Sequence, residues 1–353
     1  SAGGLTAGLT NASFGLVVQP DNTFLLQASG GVSLSSASLA SATADSALIK
    51  LNTTSSAQLS RQLSFGGFSY TLDALDAQST PVLRVTGLQV YLGDSFLLKG
   101  NFAFQKNAAT NEIMVRASSA QAWMVAGDYK VGVDSANVTL VFGTAGVLLE
   151  ATGSIQVALG NTMTLAATSA AVSGNSTGTD ATGRVVTVAG DSRTLGSLTA
   201  GLQQVSVTGG LLSVGDFFRA SGNFAFLHST ATVKLASDTA GTATNEATTG
   251  VLVDLLTMGA SNLQVSAGVA GAISLQLAGV NFGVALMSAH NDSQRRWASV
   301  KARATGISLS GVDGLTVSGT GLSMDYNSSL GGADAVVDYT STVLTVGTGG
   351  STS

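Results

Sequence analysis

The chain has 353 residues, a net charge of −5 and a pI of about 4.9, and it has no cysteine. Only 10% of its residues are charged, against about 25% in typical globular proteins. Because no basic run is present, the sequence lacks the electrostatic footprint of a nucleic-acid-binding protein, and no nucleic-acid partner is expected. No apolar run reaches about 18 residues, so no transmembrane segment is predicted.

Apolar and polar residues alternate in several short stretches along the chain. In chain order these are 155–159, 205–207, 315–318 and, less regularly, 343–346. A period of two predicts strands with one buried face. Residues 251–258 form an apolar run that fits either a strand or a short helix. Gly-Asp and Gly-Asn pairs separate the stretches, as expected for tight turns, and we predict an all-β protein with little helix.

The sequence contains an internal duplication. Gly-Asn-Phe-Ala-Phe at 100–104 recurs at 222–226, and Val-Thr-Gly at 85–87 recurs at 207–209. Both pairs are offset by 122 residues (222 − 100), and the register holds over the whole block without a gap. Self-similarity at a fixed period indicates a repeat architecture.

Weaker matches extend the repeat in both directions. Residues 24–30 resemble 147–153, and a third copy lies near 302–309. Since the pattern is incomplete at both ends, we expect the sequence to be a slice of a longer array. The predicted units are a first partial repeat at 1–104, a second repeat at 105–226 and a third, partial repeat with insertions at 227–353.

Small-residue steps that end in glycine lie inside several predicted strands, for example at 85–87 and 151–153. A glycine inside a strand indicates a bulge, a bend or a close backbone approach. Regularly spaced bends let a long sheet turn corners, which favours an elongated β-repeat array with a β-solenoid-like architecture. Tandem β-sandwich domains are the alternative, because a unit of about 120 residues has the size of one sandwich domain.

The GNFAF blocks, the Val/Ala-Thr-Gly steps and the segment Gly-Val-Asp-Gly-Leu-Thr-Val-Ser at 311–318 resemble the repeat regions of very large bacterial extracellular and surface proteins. These proteins are of the adhesin-like or fibre-forming kind. The resemblance implies an extracellular or cell-surface location and a structural or adhesive role. We therefore expect a structural repeat segment of a bacterial filament, sheath or stalk-like surface protein, with self-association of its copies, and not an enzyme.

Two alternatives stay open. One is an adhesin module that binds glycan through the inserted loops at 236–250 and 288–297. The other is a polysaccharide-degrading enzyme on a β-solenoid, for which paired carboxylates such as Asp73 with Asp76 or Asp334 with Asp338 are the candidates.

Calcium is the metal that the sequence favours, although no resident cofactor is predicted otherwise. Carboxylates at successive turns supply the hard oxygen ligands that Ca²⁺ prefers. The candidate ligands are Asp94, Asp128, Asp134, Asp216 and Asp313.

One polar-aromatic spot, Arg295, Arg296 and Trp297, is the candidate contact point for a glycan or a neighbouring subunit, through stacking and cation–π interaction. Asn-x-Ser/Thr sequons do not single out a further site, because their number is close to that expected in a chain so rich in Ser and Thr. They begin at Asn11, Asn52, Asn137, Asn175, Asn291 and Asn327.

Overall fold

The computed structural model describes residues 6–35, 39–126, 129–158, 163–214, 218–238, 245–268, 273–310, 317–330 and 335–348. Within these ranges the chain forms 23 strands and no helix, which confirms the all-β prediction. Nineteen of these strands belong to one large sheet, and the other four form two separate hairpins. None of the described segments is a helix that could span a membrane.

The strands are β1 (Thr6–Val18), β2 (Phe24–Ser35), β3 (Leu39–Thr43), β4 (Ser46–Asn52), β5 (Arg61–Phe65), β6 (Phe68–Leu72), β7 (Gln78–Leu92), β8 (Phe96–Lys106), β9 (Ile113–Ala126), β10 (Tyr129–Gly143), β11 (Gly146–Ala158), β12 (Met163–Ala166), β13 (Ser169–Asn175), β14 (Val185–Val188), β15 (Asp191–Thr194), β16 (Gln203–Val214), β17 (Phe218–Val233), β18 (Val251–Gly268), β19 (Ser274–Ala289), β20 (Asp292–Ala304), β21 (Gly306–Ser310), β22 (Val317–Gly319) and β23 (Leu322–Ser329).

The chain divides into two compact units, each built from several chain segments. The first unit comprises Ser1–Trp123, Val133–Gly153 and Ser173–Leu202, and the second comprises Met124–Gly132, Ser154–Val172 and Gln203–Ser353. In the first unit, β1 pairs with β2, β2 with β4, β4 with β7 and β7 with β8. In the second, an uninterrupted run leads from β16 through β17, β18 and β19 to β20, and then to β23. Every one of these pairs is antiparallel.

The same β-bulge occurs once in each unit and explains the Val-Thr-Gly step. The register between β7 and β8 shifts between Val85 and Leu88, and the register between β16 and β17 shifts between Val207 and Gly210. The left-handed residue at each shift is a glycine, Gly87 at φ +64° and Gly209 at φ +60°. A side chain there would be strained by the backbone and would also collide with the side chain of Asp45 or of Thr168, which favours glycine at the position.

The GNFAF block lies on the strand that pairs with the bulged strand, and its asparagine stabilises the bulge. The side-chain oxygen of Asn101 accepts the N–H of Gly87, and that of Asn223 accepts the N–H of Gly209, each at 3.0 Å. The bulge takes these N–H groups out of the regular ladder, so an asparagine side chain replaces the missing backbone acceptor. The phenylalanines of both blocks point into the core and are buried. The asparagine and both phenylalanines of the repeated motif therefore have a structural reason.

A hairpin insert covers the outer face of the sheet in two successive repeats. The first hairpin, β5–β6, brings Leu72 and Leu75 against the buried side chain of Leu25. The second, β14–β15, packs Val186 and Val188 and the residues after it against β10 and β11. Beneath the second hairpin, β10 and β11 are therefore buried on two faces, which explains how a chain with few aromatic residues still forms a dense core.

A buried asparagine anchors each insert, and the two anchors have the same hydrogen bonds. The amide nitrogen of Asn52 donates to the carbonyl oxygens of Ser56 (2.9 Å) and Leu75 (3.0 Å). The amide nitrogen of Asn175 donates to those of Thr179 (2.8 Å) and Leu198 (2.7 Å). All partners are offset by 123 residues (175 − 52, 198 − 75). We call this arrangement the asparagine anchor.

The asparagine anchors account for two of the six sequons. The side-chain oxygens of Asn52 and Asn175 accept the backbone N–H of Thr54 and Thr177, and also their hydroxyl groups. The Thr of each sequon therefore closes a turn around a buried amide. Both asparagines are at most 2% exposed, and a glycan on either amide nitrogen would remove the bonds that fix the insert.

Two local expectations are settled by the structure. Residues 251–258 belong to β18, the longest strand, and form no helix. The strand expected at 343–346 is wrong, because residues 343–348 have irregular backbone. Val346 in this segment contacts the glycine positions 259 and 283 on the outer face of the sheet, so the apolar residues serve packing without joining a ladder.

Replacing Asn175 by alanine is expected to lower the free energy of unfolding by about 0.5–1.5 kcal/mol for each hydrogen bond lost, since the carbonyl of Leu198 keeps the N–H of Ala181 as a donor. The measurement is urea denaturation followed by far-ultraviolet circular dichroism. The control is Asn107→Ala, because the side-chain oxygen of Asn107 caps an exposed turn at Ala109, and surface changes usually cost about 0.5 kcal/mol or less. Equal losses in the two variants would contradict a structural role for the anchor.

Candidate interaction surface

Trp297, predicted as a contact point for a glycan, is a core residue. Its side chain is 0% exposed and packs with Val253, Leu255 and Met287 on the outer face of the second unit's sheet. The indole N–H donates to the carbonyl oxygen of Ala335 at 2.9 Å, which satisfies its one polar group. No ring face is left for stacking against a sugar, so the structure places this residue in the fold and not on a binding surface.

Arg295 joins the two segments that were expected to bind glycan. Its guanidinium group donates two hydrogen bonds to the carboxylate of Glu246, at 2.8 and 3.0 Å, and lies 5.4 Å above the ring of Trp297. The Glu246 side chain is only 3% exposed. A bidentate pair of this kind fixes geometry as well as charge. The segment 236–250 is therefore tied to β20. The inserted loop expected at 288–297 is wrong, because these residues are the end of β19, a turn and the start of β20, and the side chain of Arg296 is exposed.

The calcium candidates are not assembled by the part of the chain that the structure describes. Asp128, Asp216 and Asp313 lie outside the described residues. Asp94 is in the exposed turn between β7 and β8, and Asp134 on β10 accepts the backbone N–H of Ser135 at 2.7 Å. Among the described residues, no three or more His, Cys, Asp or Glu side chains lie together in a group that could hold a metal ion.

Two of the carboxylates considered for glycoside hydrolysis, Asp73 and Asp338, have structural partners. Asp73 forms an ion pair with Lys50 at 2.9 Å. Asp338 accepts hydrogen bonds from the hydroxyl groups of Ser341 and Thr340, which lower its pKa to about 2. A carboxylate with that pKa stays ionised at neutral pH and does not serve as a general acid. Asp334 lies outside the described residues.

An apolar hollow of about 590 Å³ is the most distinctive surface feature of the second unit. It lies on the inner face of the sheet, opposite the face that Trp297 occupies, and side chains from six strands line it. The only charged residue among those lining it is Arg303. One representative residue from each strand is Leu212, Phe218, Leu256, Phe282, Val300 and Met324. We call this feature the inner hollow.

The outer face of the same unit carries a second depression of about 870 Å³, and its lining is mixed. Tyr339 contributes an aromatic ring, and the Lys301–Asp325 ion pair, 3.2 Å long and exposed, contributes charge. Partial burial raises the pKa of the Tyr339 phenol, while its hydrogen bond with Ser299 acts in the opposite direction. We call this depression the outer groove.

The first unit has a smaller, polar depression of about 420 Å³ beside the second hairpin insert. Its centre is Glu112, which accepts hydrogen bonds from Arg184 and from the Thr110 hydroxyl. Partial burial raises the pKa of Glu112, but these two hydrogen bonds outweigh it and hold the pKa below its usual value. The Arg184–Glu112 pair links the start of β9 to the second hairpin insert, so the two charges pair with each other within the unit.

Comparison of the chain with family models, with curated proteins and with solved structures finds no match. The inner hollow and the outer groove escaped sequence analysis because both consist of residue types that are common throughout the chain. The period-two alternation on β19 and β20 identifies the residues of each face, but it does not reveal which face stays uncovered.

Replacing Glu246 by alanine is expected to destabilise the protein by about 3–5 kcal/mol, because the Arg295 guanidinium is then left partly buried without its carboxylate. Thermal and urea denaturation measure the loss. The matched control is Lys301→Ala, which breaks the exposed Lys301–Asp325 pair and should cost less than about 1 kcal/mol. If the two substitutions cost the same, the Arg295–Glu246 pair is not the tie between segment 236–250 and β20.

Proposed function

We propose that the chain is a structural repeat segment of an extracellular bacterial filament, sheath or stalk-like surface protein. The observation that supports this most directly is the asparagine anchor, in which one amide nitrogen donates to two backbone carbonyls, and all three groups recur at a spacing of 123 residues (175 − 52). An architecture that repeats its buried polar contacts at constant spacing builds length by adding units.

The contacts that the polar side chains make within the fold support the same function. Polar side chains hold the framework: Asn52 and Asn175 anchor inserts, Asn101 supports a bulge, and the Arg295–Glu246 pair ties a loop to β20. Each of these contacts fixes one backbone segment to another. A protein that must keep its shape under load benefits from such cross-ties, because they constrain segments far apart in sequence.

Inserting a second copy of residues 105–226 after Phe226 tests the repeat function. The junction Phe226–Gln105 reproduces the natural sequence Phe104–Gln105, so a repeat unit should continue the fold without strain. We expect unchanged β-sheet signal per residue in circular dichroism. In small-angle X-ray scattering we expect a larger maximum dimension at the same cross-sectional radius.

A matched control inserts the same 122 residues in scrambled order at the same place. The scrambled insert should lower the β-sheet signal per residue. If the exact copy is disordered or aggregates as readily as the scrambled one, residues 105–226 are not a modular unit, and the proposed structural function fails.

Glycan binding is the second candidate, and the outer groove is the specific observation in its favour. Its combination of the Tyr339 ring with amide, hydroxyl and charged groups suits sugar hydroxyls and the apolar faces of pyranose rings. If this groove binds an oligosaccharide on a glycan array, Tyr339→Ala should weaken binding about fivefold and Tyr339→Phe should retain most of it. An array without hits, or hits that Tyr339→Ala leaves unchanged, removes this candidate.

A further inference from the structure

One face of β1 carries large apolar side chains that are exposed. Phe14, Leu16 and Val18 alternate along the strand and are between 48% and 66% exposed. The opposite face of β1 is covered, because Val17 packs under the first hairpin insert. Three adjacent exposed side chains of this size form a patch, and a patch of this kind usually marks an interaction surface.

The corresponding strand of the next repeat buries these positions. The left-handed residues Asn11 and Ser135 mark equivalent points of β1 and β10. Counted from these points, the three exposed residues of β1 correspond to Val138, Leu140 and Phe142, which are at most 4% exposed. The repeat therefore provides a cover for this face in its second copy, and the same apolar chemistry is uncovered on β1.

A second exposed triplet lies on β23 and continues the inner hollow. Leu322, Met324 and Tyr326 are between 47% and 53% exposed. Asn327, which follows them, corresponds to Asn175, because its amide likewise donates to a backbone carbonyl, that of Val337, at 2.7 Å.

Counted back from these asparagines, Leu322 and Met324 correspond to Ala170 and Val172, which are at most 4% exposed. The corresponding strand of the preceding repeat thus buries the positions that β23 exposes. Both uncovered faces, on β1 and on β23, have the chemistry of the repeat's own core.

The two faces also carry opposite charges at their margins. Asp21 lies in the exposed turn that follows β1, and hydrogen bonds from the side chain and the backbone of Thr23 lower its pKa, so it is ionised at neutral pH. Arg303 is an exposed residue of β20 that borders both the outer groove and the inner hollow, and it is the only charged residue among those lining the hollow. An acidic margin on one face and a basic margin on the other favour contact between unlike faces over contact between like faces.

We propose that copies of this chain associate head to tail, with the β1 face of one copy docking on the inner hollow and the β23 face of a second copy. The proposal rests on the structural function above and names the partner, a second copy of this chain. The occupant is the same chain because equivalent positions in its own repeats are buried and because the two faces are complementary in charge. A contact between two different faces leaves one of each free, so it propagates into a filament.

Sedimentation velocity of the full chain over a range of concentrations tests this contact. The wild-type chain should form oligomers that grow with concentration from the 35.0 kDa monomer. Leu16→Glu and Met324→Glu should each weaken association at least about 100-fold, because an unpaired charge is then buried in an apolar contact. An equimolar mixture of the two variants should form dimers and nothing larger, since each variant keeps one functional face.

Matched controls place the same charge on apolar side chains outside the two faces. Leu59 and Val343 are 87% and 91% exposed, and Leu59→Glu and Val343→Glu should leave the oligomer distribution unchanged. A wild-type chain that remains monomeric at every concentration overturns the proposal. Control substitutions that weaken association as strongly as Leu16→Glu and Met324→Glu also overturn it. Dimers formed by one single variant alone would mean contact between like faces, which also overturns it.

Two further experiments stay informative if a glutamate variant does not fold. Asp21→Arg and Arg303→Asp should each weaken association about threefold, and a chain carrying both changes should recover. Since the chain has no cysteine, Leu16→Cys and Met324→Cys chains can be mixed and oxidised. Cross-links should form between the two variants and not within either alone. If the duplicated unit of residues 105–226 folds while every association test fails, the head-to-tail contact is wrong and the structural function stands.

Discussion

The backbone carbonyl groups at which each insert returns to the sheet are the constraint on which the architecture depends. The carbonyls of Leu75 and Leu198 are bonded by a buried asparagine amide, Asn52 in one repeat and Asn175 in the next. Each carbonyl also accepts a backbone N–H, that of Gln58 or of Ala181, so the asparagine supplies a second hydrogen bond and ties the insert to the end of a sheet strand. Once the insert is fixed, its leucines cover the outer face, and beneath the second insert β10 and β11 become buried on both sides.

The same logic explains how the strands bend. A bulge frees a backbone N–H from the ladder, and Asn101 and Asn223 supply the acceptor from the neighbouring strand. Asn281 does the same for Asn262, itself a left-handed residue at φ +54°, between β18 and β19. The strands can therefore change direction at fixed points without leaving a polar group unpaired. Asparagine is suited to this task because its side chain carries both a donor and an acceptor.

The sequence predicted the features that the backbone demands. Alternation of period two and the recurring GNFAF block follow from strand geometry and from the bulge, since both restrict which residues are allowed at single positions. The all-β class and the bends at Gly87 and Gly209 could therefore be predicted from the sequence. The asparagine anchors were hidden among six sequons, because a buried and an exposed Asn-x-Thr have the same sequence.

Contacts between distant residues were beyond sequence reasoning. Arg295 and Trp297 are polar and aromatic in a chain poor in both, which suggested a binding surface. Their partners, Glu246 and Ala335, lie 49 and 38 residues away and turn the same side chains into a cross-tie. The prediction of a strand at 343–346 was wrong for a related reason. Apolar alternation is found both in strands and in irregular segments that pack on top of a sheet, and only the position of the neighbouring strands distinguishes these two cases.

The exposed faces of β1 and β23 are as apolar as the core, and they differ from it only because none of the described residues pack over them. Phe14, Leu16 and Val18 are as apolar as their buried counterparts on β10, and no charged residue interrupts β1. Exposed terminal strands of many proteins carry charges that block association, and this chain does not use that protection on either face. Its low charge content therefore acts in the same direction as its repeats: folding within the chain and association between chains draw on one set of apolar positions, and the charges of Asp21 and Arg303 are placed where they can select the orientation.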